Sequence, residues 1–135
     1  MILYQNELLK LDFQPSQRLL EITWPSFEGR SKEESKLIIT RVLNAINDYE
    51  VNYLLIDAKA TNLGIEISQF HDLASFFITE LPKTSVKRVA RISTYDQNRE
   101  QLVNHLASGQ PMDIDYSNFT NKTEALAWLL PEQII

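Results

Sequence analysis

Apolar residues along this chain change their spacing twice, and the changes mark out its elements. From 8 to 13, Leu9, Leu11 and Phe13 alternate with Lys10 and Asp12, the two-residue period of a half-buried strand. Gln14, Pro15, Ser16 and Gln17 carry turn chemistry, with Pro15 presetting its own φ. From 18 to 24 the alternation resumes, Leu20, Ile22 and Trp24 on one side and Leu19, Glu21 and Thr23 on the other. Two such runs around a short turn predict an antiparallel hairpin. Pro25 has no N–H to give to a ladder, so the second strand ends there.

Past 30 the period lengthens. Ser31 and Glu34 have the spacing of a capping box, and Ile38, Val42, Ala45, Ile46 and Tyr49 follow at three- and four-residue steps, which predicts a helix ending near Glu50. Residues 53–57 are then an unbroken apolar run that ends on a carboxylate, Asp57. That is the pattern of a central parallel strand covered on both faces. A helix opens at Ser68, carries Phe70, Leu73, Ala74, Phe77 and Leu81, and stops at Pro82. A strand is expected over 86–93. Next comes a helix capped by Thr94 or Asp96, lined by Leu102, Val103, Leu106 and Ala107, and closed by Gly109 and Pro111. A short strand over 112–116 and a last helix burying Ala125, Leu126, Trp128 and Leu129 complete the chain. The order ββαβαβαβα predicts an α/β fold, one domain over 1–135. Its mixed sheet has an N-terminal antiparallel hairpin, then parallel strands joined by right-handed crossovers and flanked by helices.

Composition narrows the class. A length of 135 residues suits one domain with a sizeable core. A net charge of −5 with no basic block sets the surface against a phosphate backbone, so no nucleic-acid partner is expected. The absence of cysteine leaves neither disulfides nor thiolate chemistry, in keeping with a reducing cytoplasm. The first ten residues lack a basic stretch followed by an apolar one, and no apolar run approaches the about 20 residues of a membrane span. A cytoplasmic protein without membrane insertion is the expectation.

Candidate chemistry gathers after the central strand, because the carboxyl ends of strands are where α/β sheets meet ligands and partners. Leu63, Ile65 and Ile67 stand among Thr61, Asn62, Gly64 and Glu66, too many large apolar side chains for an ordinary loop. They either fold back on the core or, extended by Phe76, form an interaction surface for a second copy or another protein. Asp57 reads either as a functional carboxylate or as a cap or ion partner. Arg91 interrupts the apolar run Val89-Ala90-Arg91-Ile92. A buried cation there needs a counter-charge, with Asp57, Glu66 and Asp115 the expected partners. Ser68 is either a helix cap or a phospho-acceptor whose phosphate meets the helix N-terminus. His71 and His105 lack zinc-site spacing, and no H-E-x-x-H, G-x-S-x-G, G-x-G-x-x-G or P-loop occurs. The expectation is therefore no catalytic residue, no metal and no cofactor. Lys83, Lys87 and Arg88 read as a solvated face.

Three features together carry a family likeness. They are the leading hairpin, the buried run Leu54-Leu55-Ile56-Asp57 with the loop and helix after it, and the ending from Phe119 through Glu124-Ala125-Leu126-Ala127-Trp128-Leu129. This resembles the SpoIIAA-like branch of the STAS domains, whose relatives include bacterial anti-sigma-factor antagonists and the cytoplasmic tails of anion transporters. The likeness runs over nearly the whole chain, its strongest element being the Phe…Ala-x-x-Trp-Leu run. It implies a small, non-enzymatic regulatory module working by protein–protein contact, as a homodimer, or a lipid- or anion-binding module with a pocket at the same corner. Phosphorylated antagonists of this kind carry an Asp-Ser-Ser-Gly-like turn after the central strand. Here the region reads Gly64-Ile65-Glu66-Ile67-Ser68-Gln69, which leaves Ser68 as the one candidate acceptor.

Overall fold

The computed structural model describes residues 1–5, 9–23, 31–57, 67–92 and 114–130, with the backbone alone at 32, 67–71 and 74. Among the described residues six strands lie in one sheet in sequence order: β1 (Ile2–Gln5), β2 (Lys10–Gln14), β3 (Leu19–Thr23), β4 (Tyr53–Asp57), β5 (Arg88–Ile92) and β6 (Asp115–Phe119). The first three pair antiparallel, and β3 through β6 pair parallel. Among the described residues three α-helices accompany them, α1 (Lys32–Asp48), α2 (Ile67–Glu80) and α3 (Lys122–Leu129). The α/β class and the antiparallel start with a parallel continuation are those the spacing predicts. The strand count differs, because β1 precedes the hairpin. Ile2, Leu3 and Tyr4 are too few to show a period, and tertiary contacts make the strand. Leu3 and Tyr4 pack on the main core, and the Arg41 guanidinium lies 4.3 Å from the centre of the Tyr4 ring. The helix expected between Thr94 and Ala107 lies outside the described residues.

The hairpin register pairs Lys10 with Thr23 and Gln14 with Leu19. Its turn closes as Gln17 N donates to Gln14 O at 3.2 Å and Arg18 N to Pro15 O at 3.3 Å. Successive side chains leave a strand on opposite faces, and both faces of the sheet are used. Leu20, Ile22, Leu54, Ile56 and Val89 join the larger core with Ile39, Val42, Leu43 and Ile46 of α1 and Leu73 and Phe77 of α2. On the reverse face Leu19, Leu55, Ala90 and Ile92 pack with Ala125 and Leu129 of α3. β4 therefore has helix on both sides, as its unbroken apolar run implied.

Helix α1 buries a stripe one step round from the expected one. Ile39, Val42, Leu43 and Ile46 are inside, Ile38 and Ala45 half-buried, and Tyr49 exposed apart from a ring contact with Phe13 at 5.3 Å. Both stripes have helical spacing, so the period alone could not choose between them. The cap is as expected, Ser31 Oγ accepting from Glu34 N at 3.1 Å.

The C-terminal end of α1 is closed without glycine. Val51 N donates to Ile46 O at 3.1 Å and Glu50 N to Asn47 O at 3.3 Å, with Glu50 at φ 51°. This is the Schellman arrangement, and its apolar contact is supplied by the fully buried Val51 and Ile46. After α2, Pro82 stops the helix in a 3₁₀ turn, Leu81–Lys83, whose Leu81 oxygen accepts from Thr84 Oγ1 at 2.7 Å. β6 begins three residues later than expected, so Phe119 ends a strand instead of leading into a helix. Asn121 caps α3, its Oδ1 accepting from Glu124 N at 2.9 Å. No helix among the described residues is long and apolar enough to cross a membrane.

Candidate functional site

The parallel strands end together, and the register defines two rows at that end. Thr23, Asp57, Ile92 and Phe119 stand side by side on β3, β4, β5 and β6. One residue earlier stand Ile22, Ile56, Arg91 and Asn118. The pleat turns the first row toward the α3 face, with Ile92 in the smaller core. It turns the second toward the α1–α2 face, with Ile22 and Ile56 in the larger. Asp57, half-buried, and Arg91 thus leave the sheet on opposite faces.

Arg91 is 6% exposed among aliphatic neighbours. Its guanidinium donates to the phenol oxygen of Tyr116 on β6, and the Tyr116 hydroxyl donates to Asn118 Oδ1 at 3.2 Å. Burial raises the Tyr116 hydroxyl above its usual pKa of 10.0, partly countered by the charge of Arg91 and by the hydrogen bond Arg91 donates. The phenol is therefore neutral at ordinary pH and links Arg91 to Asn118 through hydrogen bonds.

Of the partners expected for Arg91, Asp115 lies against Arg88, Oδ2 to Nε at 3.8 Å, and Glu66 is outside the described residues. Tyr116 and Asn118 were not foreseen. The readable signal is their two-residue spacing, which puts both beside Arg91 once β6 is known to run to Phe119.

Leu63 and Ile65 lie outside the described residues. Ile67 and Ser68 are the first two residues of α2, so the helix opens one residue before Ser68, within the usual latitude of a helix end. Phe76 is half-buried against the larger core, with the Lys36 ammonium 4.9 Å from its ring centre, a cation–π contact tying α1 to α2. At the far end of the chain, the Trp128 ring meets Phe119 at 5.6 Å, and the Trp128 oxygen accepts from Arg88 Nη1 at 3.0 Å. Compared with family models, with curated proteins and with solved structures, the chain gives no significant match in any of the three.

Proposed function

We propose that this chain is a non-enzymatic regulatory module of STAS type, cytoplasmic and homodimeric, that works by protein–protein contact through the loop and helix after β4. One observation carries the reading. β4, buried on both faces, ends at Asp57 and leads through the connection holding Leu63 and Ile65 into α2, at the end of the sheet where α/β folds meet partners. The antiparallel lead-in and the Trp128–Phe119 contact of the last helix support it further, being the elements on which the family likeness rests. Ser68, in the first turn of α2, is where a phosphoryl group would meet free backbone N–H groups. Light scattering on the purified protein tests the reading. A dimer that becomes monomeric with Leu63→Asp or Ile65→Asp is the expected result. A dimer indifferent to both substitutions overturns it.

The second reading, a lipid- or anion-binding module at the same corner, is favoured by the guanidinium of Arg91 inside an apolar face near the carboxyl end of β5. Native mass spectrometry of freshly purified protein checks it. A retained mass that Arg91→Met abolishes supports this reading, and the bare polypeptide mass contradicts it.

A further inference from the structure

We draw no further inference here: the strongest candidate, the groove of about 380 Å³ between the β2–β3 turn and α3, lined by Leu19, Glu21, Leu126 and Leu130, carries none because nothing in the structure shows what covers it.

Discussion

The guanidinium of Arg18 lies 3.5 Å from the Glu50 carboxylate and donates to the Glu50 backbone oxygen at 3.3 Å, joining the two non-glycine residues of left-handed backbone among those described. The pair stands where β3 and β4 begin, and Arg18 O accepts from both Asn52 N and Tyr53 N, at 3.0 and 3.1 Å. It thereby aligns the amino ends of the first two parallel strands. Each left-handed residue costs about 1 kcal/mol in an L-amino acid, more than an exposed ion pair returns. Glu50→Gly is therefore expected to raise unfolding free energy by about 0.5–1 kcal/mol, and the β-branched Glu50→Val to lower it. Urea titration checks both.

The two capped helices make a second test. Ser31→Ala and Asn121→Ala each remove a side-chain acceptor from a helix N-terminus. Each is expected to cost about 1 kcal/mol. The caps belong to helices on opposite faces of the sheet, so the double variant should lose the sum to within about 0.5 kcal/mol. The same titration reads it.

Tyr116 supplies a pH test. Its pKa is raised by burial, so the folded state holds the phenolic proton more tightly than the unfolded chain does. That contribution is complete below the unfolded value of about 10 and is lost as pH climbs from there through the folded value. Wild type should lose stability more steeply than Tyr116→Phe above pH about 10, with parallel profiles below it. Thermal unfolding across pH 8 to 11 reports the difference. Identical slopes above pH 10 would sink the idea that this phenol is held in its neutral form.

Trp128 on α3 makes a packing test. Its ring lies on Phe119 and 5.6 Å from the Arg88 guanidinium carbon, contacts internal to the protein. Truncation to alanine is expected to cost about 2–3 kcal/mol, less than for a fully buried Trp, while Trp128→Phe keeps most of the stability. Calorimetry distinguishes the two variants.

How much was legible depended on which physical signal each segment carries. The hairpin alternates over five residues a side, and β4 is apolar from Tyr53 to Ile56 before the Asp57 carboxylate, so strand type and double coverage followed directly. β1 carries too few residues to show a period, and β6, Asp115-Tyr116-Ser117-Asn118-Phe119, is polar enough that its start was misplaced by three. The α1 stripe was ambiguous because Ile38 and Ile39 head equally good helical series. The end of α1 near Glu50 was legible, but its left-handed closure was not, since that turn is normally glycine's. At the site, a charge inside an apolar strand identified Arg91 as requiring partners. Tyr116 escaped notice because its partnership exists only through the β5–β6 register.

Hydrogen exchange read by mass spectrometry, at protein concentrations above and below dimer dissociation, tests the proposed contact face most directly. Residues 58–77, from the end of β4 into α2, should exchange more slowly at high concentration, with α1 and α3 unchanged. Concentration-dependent protection confined to α1, β1 or α3, or none anywhere, would contradict the placing of this protein's working surface after β4.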